Sequence, residues 1–429
     1  MAKSDNQRRG RGPASTPRQR RGSALQRAGG GGGKIIDSLL SRRVEKIIGE
    51  KELRAKLLSG KKLKVKHGVD PTAPDLHIGY GVVYHKMREF QNLGHTVQFL
   101  IGGFTARFGD PTDKEQMRNL RSKDEVKKLA ANYIKQALTI LDPKRTEIRY
   151  NSEWYDKMSA EDLLKLMAHF TYSQMIERDM FQKRIKQNQE IGFHEPVYPM
   201  LQGYDSVMLK DDVTVIGTDQ TFNEMRGRDL QKDFGQTPQA IIAVPLLVGT
   251  DGVQKMSQSL GNYIGITEDA KSQYGKVMSI PDHIIYTYFD LATNVSAKEL
   301  SDIKKQWVNK KANPRDLKMR LAHTIVSMYH GAKAADKAQA DFVSVFQKHE
   351  TPKDIPTITF TKAVPLIDLL VKHKLAASGS EARRLIQQNG VKINGRTIAD
   401  INFLIKPPGR TKKTGLTVQV GKRHFLRLK

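Results

Sequence analysis

Two short phrases hold the residues best suited to nucleotide chemistry. The first is DPTAPDLHIGY at 70–80 and the second is KMSQS at 255–259, with GTDQ at 217–220 between them. In the first, Pro71 and Pro74 stiffen a turn. Asp75 is placed to cap a following helix, whose N-terminus offers positive potential to a phosphate. His77 falls in its first turns, and Gly79 has no side chain, so a flat base can approach the backbone there. In the second, Gly249, Asp251 and Gly252 predict a mobile loop that can carry Lys255 onto a triphosphate. An isolated His-Ile-Gly is more often a plain strand–turn–helix with a buried histidine, and an isolated KMSQS is noise. Order and shared position give these phrases their weight.

The elements that must position them read as α/β. Leu63, Val65 and His67 alternate with lysines and predict a strand that Gly68 ends, followed by a helix over about 75–92. Further strands are predicted over 96–101, stopped by Gly102 and Gly103, over 213–216, stopped by Gly217, and over 241–244. Strands alternating with helices imply a parallel sheet, whose ligands bind beyond the carboxyl ends of the strands. All the phrases fall there. Residues 281–350 read as mainly helical. Beyond them Pro365 opens a helix with Leu366, Leu369 and Leu370 on one side, and Ser378 with Glu381 predicts a capping box for the next. That second helix buries Ala382, Leu385 and Ile386 and ends at Asn389-Gly390. Val391-Lys392-Ile393 then meets Asn394-Gly395, a type I′ hairpin signal.

Composition narrows the partners. The chain has 429 residues, a net charge of +27 and no cysteine, which excludes disulfides and thiolate metal sites. The twelve histidines show no ligand-like spacing, so no structural metal is expected. No apolar run approaches membrane-spanning length. The charge sits at the ends, with net +7 in residues 1–33 and net +12 in 361–429. A polyanion is the natural partner of such ends, because neutralising phosphates releases counterions. Residues 1–33 are rich in Arg, Gly and Ser and predict a disordered basic tail.

The two phrases resemble the signatures of class I aminoacyl-tRNA synthetases. Over roughly residues 35–429 the chain is similar to bacterial-type tyrosyl enzymes. The similarity is carried by Asp70-Pro71-Thr72, His77-Ile78-Gly79, Gly109-Asp110-Pro111, Gly217-Thr218-Asp219-Gln220, KMSQS, and Tyr198-x-x-x-Gln202-x-x-Asp205. The C-terminal module resembles the RNA-binding domain that these enzymes share with a ribosomal small-subunit protein. The resemblance implies a Rossmann-like parallel-sheet catalytic domain over 34–275 with a connective insertion, and a helical anticodon-arm domain over 276–355. A small α+β RNA-binding domain over 363–429 follows.

It also implies roles. Tyrosine would be activated by ATP, with Mg2+, to tyrosyl-adenylate and pyrophosphate, then passed to the 3′ end of its tRNA. Such a step needs positioning and electrostatics rather than proton transfer. Thr72, His77 and Lys255 would contact the leaving phosphates, with Lys114 and Arg118 on a second loop that is otherwise divergent here. Asp70, Gly79, Asp219, Ser257 and Ser259 would complete the ATP site, Gly79 packing on adenine and Asp219 taking the ribose hydroxyls. Asp110, Tyr198 and Gln202 would hold the substrate ammonium, Gln220 would sit near its carboxyl group, and Asp205 would accept from the phenol. Arg383, Arg384, Lys392 and Arg396 would contact RNA. The family implies a homodimer; the absence of targeting signals and of cysteine points to the cytoplasm.

Three positions depart from the family pattern. Lys66 stands where many relatives carry a tyrosine that donates to the phenol, so recognition rests more on Asp205 or on water. Tyr80 replaces the second histidine of the first signature, and Gln258 replaces the second lysine of the loop signature. Other readings are a tryptophan-specific relative, opposed by Asp205 and the C-terminal module, and a catalytically silent RNA-binding protein, opposed by the intact His77, Asp219 and Lys255. A pantothenate-synthetase-like nucleotidyl transferase would share the His-Ile-Gly logic but would not need an RNA module.

Overall fold

Six strands build the sheet on which the chemistry rests: β1 (Lys46–Ile48), β2 (Lys64–Val69), β3 (Thr96–Ile101), β4 (Thr146–Tyr150), β5 (Val213–Gly217) and β6 (Ala240–Val244). Their order is β1-β6-β5-β2-β3-β4. β2 pairs in parallel with both β3 and β5, β4 continues beside β3, and β6 beside β5. Only β1, at the edge, is antiparallel to its neighbour. Every residue of β6 is buried, as are Val97 to Ile101 of β3, the near-continuous apolar pattern of strands covered on both faces. The strand order turns outward in both directions between β2 and β5, so the crevice for ligands opens beyond their carboxyl ends.

This computed structural model describes residues 32–110, 121–309, 312–346, 355–407, 415–421 and 424–429. The chain divides into two compact units, Met1–Glu268 with Ser279–Leu321, and Asp269–Met278 with Ala322–Lys429. The predicted basic tail falls largely in 1–31, outside the described residues.

Four expectations are corrected locally. Gly32 and Gly33 belong to a helix, Gly32–Ser41, rather than to the tail, because Ile36, Leu39 and Leu40 form a buried stripe that extends the helix backward through them. β2 runs through Gly68 to Val69. The helix after it starts at Ile78, not near Asp75, and its N-cap His77 makes no side-chain cap bond. Asp75 Oδ1 instead accepts from Gln136 Nε2 at 3.0 Å, so the turn is tied sideways to helix Lys123–Ala137. In the C-terminal module Ser378 does cap the backbone of Glu381, but the glutamate reaches back to the Ala377 N–H instead of closing the box on Ser378.

Within the first unit, the loop after helix Gly32–Ser41 is stitched to a segment far along the chain. Arg42 donates to the carbonyls of Thr293 at 2.8 Å and Val295 at 2.5 Å. Arg43, 3% exposed, donates to Leu291 at 2.9 Å and also to Thr293. These carbonyls lie at and just beyond the C-terminus of helix Ile285–Ala292, where backbone acceptors lack intrahelical donors and cations are favoured.

The second unit pairs helices Ala270–Met278 and Ala332–Phe346, with the Tyr274 and Phe342 rings 5.5 Å apart. It then forms a sheet of β7 (Thr357–Ile358), β9 (Val391–Ile393), β10 (Arg396–Thr397), β12 (Leu416–Val420) and β13 (His424–Leu428), in the order β10-β9-β12-β13-β7. A short ribbon of β8 (Val364–Pro365) and β11 (Leu404–Ile405) stands beside helix Leu366–Lys372. Leu366, Leu370, Ile386, Val391, Val418 and Leu428 fill its core. Asn394 and Gly395 both have positive φ, 47° and 81°, as a type I′ turn requires.

Candidate active-site cleft

The carboxyl ends of five parallel strands open into a cleft of about 1070 Å³. The end of β2 and the residue after it contribute His67 to Asp70, Gly102 follows β3, Asn151 follows β4, Gly217 ends β5, and Val244 to Leu247 end and follow β6. Thr72, His77, Gly79, Asp110, Tyr198, Gln202, Asp205, Asp219, Gln220, Lys255, Ser257 and Ser259 all line it with Asp70. The sequence scatters these residues over nearly two hundred positions; the sheet brings them to one place. Lys114 and Arg118 lie outside the described residues. Arg383, Arg384, Lys392 and Arg396 lie in the other unit, where all four are exposed.

One end of the cleft is a fixed polar pocket. Tyr198, Gln202 and Asp205 share a face of helix Tyr198–Leu209 by their i, i+4, i+7 spacing. Tyr198 donates its hydroxyl to Asp70 Oδ2 at 2.9 Å, and Thr105 donates to Asp70 Oδ1 at 2.8 Å. A Cβ on Gly102 would lie 1.8 Å from Asp70 Oδ1, so only glycine leaves room for this carboxylate. Gln220 Nε2 donates to Asp110 Oδ2 at 2.9 Å, and Arg178 stands 3.8 Å from the other oxygen. Asp205 is 4% exposed and accepts from Trp154 Nε1 at 3.1 Å and Asn151 Nδ2 at 3.3 Å. Burial pushes its carboxyl up to about 7, with the nearby Lys66 ammonium pulling the other way.

The other end is made of loops. Ser257 N–H donates to Asn262 Oδ1 at 2.8 Å, and Asn262 Nδ2 donates to Asp251 Oδ2 at 2.6 Å. The Gln258 amide donates to the Asp75 carbonyl, linking the loop to the first signature. Ile78 N–H donates to the Ile264 carbonyl at 2.9 Å on the same seam. Lys255 Nζ lies 3.5 Å from Asp219 Oδ2. Burial lowers the Lys255 pKa, and burial, with Asp110 adding repulsion, raises that of Asp219. Burial also holds His77 down to about 4, with Lys255 repelling its charged form, so it is a neutral imidazole at physiological pH. A Cβ on Gly79 would meet His77 Nδ1 at 2.8 Å, so the histidine ring itself requires that glycine.

Sequence reasoning missed Asn151, Trp154, Thr105, Arg121 and Arg178. Asn151 directly follows β4, a strand not predicted, and its place at a parallel carboxyl end is the signal that would have found it. Arg121 donates to the Thr72 carbonyl at 3.0 Å and bears no local mark. Lys66 does not line the cleft: it is 1% exposed and lies behind it.

The family model described as tRNA synthetases class I (W and Y) matches residues 58–347, and one described as Tyrosine--tRNA ligase SYY-like C-terminal domain matches 347–428. Similar relatives include the tyrosine–tRNA ligases of Thermotoga maritima, 45% identical over 91% of this chain and 96% of that protein, and of Moorella thermoacetica, 46% identical over 91% and 94%. Among solved structures, a C-terminally truncated mitochondrial tyrosyl-tRNA synthetase from Aspergillus nidulans superposes with TM-score 0.63 at 23% identity, covering 75% of this chain and 97% of that one. The L-tyrosine complex of the Archaeoglobus fulgidus tyrosyl-tRNA synthetase gives 0.57 at 21% identity, over 71% and 99%. These two likenesses speak to fold alone.

Proposed function

The chain belongs to the class I tRNA synthetases of the tryptophan and tyrosine branch, and from that premise we propose how the cleft divides the labour of a tyrosine–tRNA ligase. The reaction is activation of L-tyrosine by ATP to tyrosyl-adenylate and pyrophosphate, followed by transfer of tyrosine to tRNA. The relatives' shared specificity, over nine-tenths of the chain, favours tyrosine over tryptophan and activity over a silent scaffold. The observation that carries the assignment of residues is the meeting of Asp205, Gln202, His77, Asp219 and Lys255 in one cleft.

Asp205 accepts the phenol hydroxyl at the closed end, fixed by Trp154 and Asn151. Tyr198, Gln202 and Asp110 receive the ammonium, leaving the carboxylate beside Gln220. The tyrosine carboxylate attacks the α-phosphate, the bond to the β-phosphate oxygen breaks, and pyrophosphate leaves with the electron pair. Charge accumulates on oxygens that Thr72, neutral His77 and Lys255 can meet with hydrogen-bond donors. Asp219 takes the ribose, which requires Lys255 to exchange its contact there for the phosphates. Asp70, Gly79, Ser257 and Ser259 complete the nucleotide site. Lys114 and Arg118 remain proposed phosphate contacts.

Among the described residues no group of three or more His, Asp or Glu side chains is placed to hold a metal. Mg2+ is proposed to arrive with ATP, as part of the substrate. Arg383, Arg384, Lys392 and Arg396 are the proposed tRNA contacts, of the phosphate-and-shape kind that a basic helix–hairpin surface makes. A cytoplasmic homodimer bridged by tRNA completes the proposal, with domains at 34–275, 276–355 and 363–429.

The test is exchange of labelled pyrophosphate into ATP with tyrosine, tryptophan and phenylalanine in parallel. Exchange with tyrosine alone is expected. Exchange with another amino acid would overturn the substrate assignment, and none with any would overturn the activity.

A further inference from the structure

Behind the amino-acid end lies a buried polar chain whose hydrogen bonds reach the cleft through Gln202 and Gln220. It begins at Lys66 on β2 and Glu224 on helix Thr221–Asp233, 1% exposed each, with Lys66 Nζ 2.8 Å from Glu224 Oε2. Lys66 also donates to Ser206 Oγ at 2.5 Å. Gln239 Nε2 donates to the same glutamate oxygen at 2.8 Å, and Gln202 Nε2 donates to the other at 2.9 Å. Asn223 Nδ2 then donates to Gln202 Oε1 at 2.8 Å and to Gln220 Oε1 at 3.0 Å. Gln220 Nε2 donates onward to Asp110.

We propose that the buried Lys66–Glu224 ion pair is a positioning device. It fixes the amide orientation of Gln202 and so presents that residue's carbonyl oxygen, rather than its NH2 group, to the ammonium of tyrosine. The inference rests on the reading of Gln202 as an ammonium ligand.

An amide can flip, because its two ends have the same shape and opposite polarity. An ionised carboxylate cannot donate, so the end of Gln202 facing Glu224 must be the NH2 group. The carbonyl oxygen is then turned to Asn223, where one lone pair accepts from Nδ2 and the other remains to meet a cation. Glu224 imposes this only while ionised. A charge buried at this depth needs a paired partner. Lys66 is that partner, and the glutamate in turn raises the lysine pKa against the pull of burial. The residue at the position where many relatives carry a phenol-binding tyrosine thus acts on the other end of the same substrate.

The proposal is tested with the full chain and Glu224→Gln, which changes one atom. Its carbonyl must still face Lys66 and Gln239, so its NH2 faces Gln202 and drives that amide to flip. An NH2 group then opposes the substrate ammonium. In pyrophosphate exchange the KM for tyrosine should rise tenfold or more, with the KM for ATP unchanged, since one charge-assisted hydrogen bond is replaced by a clash. Inhibition by 3-(4-hydroxyphenyl)propionate, which is tyrosine without its amino group, should not weaken. A loss of similar size for both compounds would reveal only a distorted pocket and overturn the proposal, as would an unchanged tyrosine KM. Gln202→Ala separates the premise. If it too leaves the tyrosine KM unchanged, the ammonium role of Gln202 fails. If it raises that KM while Glu224→Gln does not, the positioning role alone fails. Lys66→Met, which removes the charge partner of Glu224, should likewise raise the KM for tyrosine tenfold or more and carries the test should that variant not fold; because the same ammonium also acts on Asp205, the comparison with 3-(4-hydroxyphenyl)propionate is made with Glu224→Gln alone.

Discussion

At the amino-acid end of the cleft, Asp70, Asp205 and Gln202 are each held by side chains from packed helices and strand ends. At the phosphate end, Lys255 and Gln258 sit on a loop and meet Asp219 and a backbone carbonyl. The first end is organised before substrate arrives. In the second, Lys255, proposed to meet the phosphates, rests on Asp219, proposed to take the ribose, so under that assignment the arrangement changes when nucleotide binds. The difference follows from what each end has to do. Selecting a phenol and an ammonium rewards rigidity, because a misplaced or unpaired polar group is what rejects the wrong side chain. Following a phosphate whose charge moves during the reaction rewards a group that can relocate.

The strongest test of this contrast is Lys255→Ala. It should lower kcat for exchange by about 10²–10³, in the range for losing one stabilising donor, with the KM for tyrosine unchanged. A comparable change in that KM would show the two ends to be one unit.

Asp205→Asn comes next, raising the KM for tyrosine roughly 10–100-fold, the worth of a hydrogen bond to a charged group. It carries a pH signature. With its carboxyl at about 7, Asp205 is increasingly ionised, and a better acceptor, as pH rises through that value. The KM for tyrosine should fall between pH 6 and 8 and then level off, and Asp205→Asn should flatten the profile. His77, at about 4, adds no titration in that window. For stability the sign is opposite. The folded pKa lies above the ordinary aspartate value of 3.8, so Asp205 favours the folded state most at acid pH, and that contribution is lost progressively as pH rises from there through about 7.

Gly102→Ala should lower kcat/KM roughly tenfold by displacing Asp70 and its bond to Tyr198, and substrate-free melting should shift with it. The smallest effect is expected of Gln258→Lys. A lysine can also reach the Asp75 carbonyl and adds charge near the pyrophosphate, so adenylate formation should stay within about threefold or rise. A large loss there would mean that the neutral amide is required.

The legibility of the sequence follows the same division. The strands could be read because burial on both faces makes β3 and β6 apolar runs, and parallel topology then sends every motif to one edge. The C-terminal hairpin could be read because Asn394-Gly395 has few conformations to choose from. Asp75 could not be placed, since capping propensity is local and the competing partner, Gln136, comes from a helix sixty residues away. Trp154 and Asn151 gain their meaning only by lying against Asp205. Lys66 reads as a surface alternation with Lys64, and nothing short of the fold shows that Glu224 waits for it.

The arginines that follow helix Gly32–Ser41 have a consequence for the order of events during synthesis. Arg43 is buried, and its partners are the carbonyls of Leu291 and Thr293 with Glu89. A ribosome adding about 5–20 residues per second takes on the order of 10–50 seconds to travel from one to the other. Throughout that interval the segment after helix Gly32–Ser41 has a guanidinium with Glu89 to receive it but none of those backbone acceptors. The seam between this segment and the end of helix Ile285–Ala292 therefore cannot form until residues near 295 have left the exit tunnel, and until then the segment and the helix before it have only earlier partners, such as Glu89 for Arg43 and Lys86 for the Leu39 carbonyl.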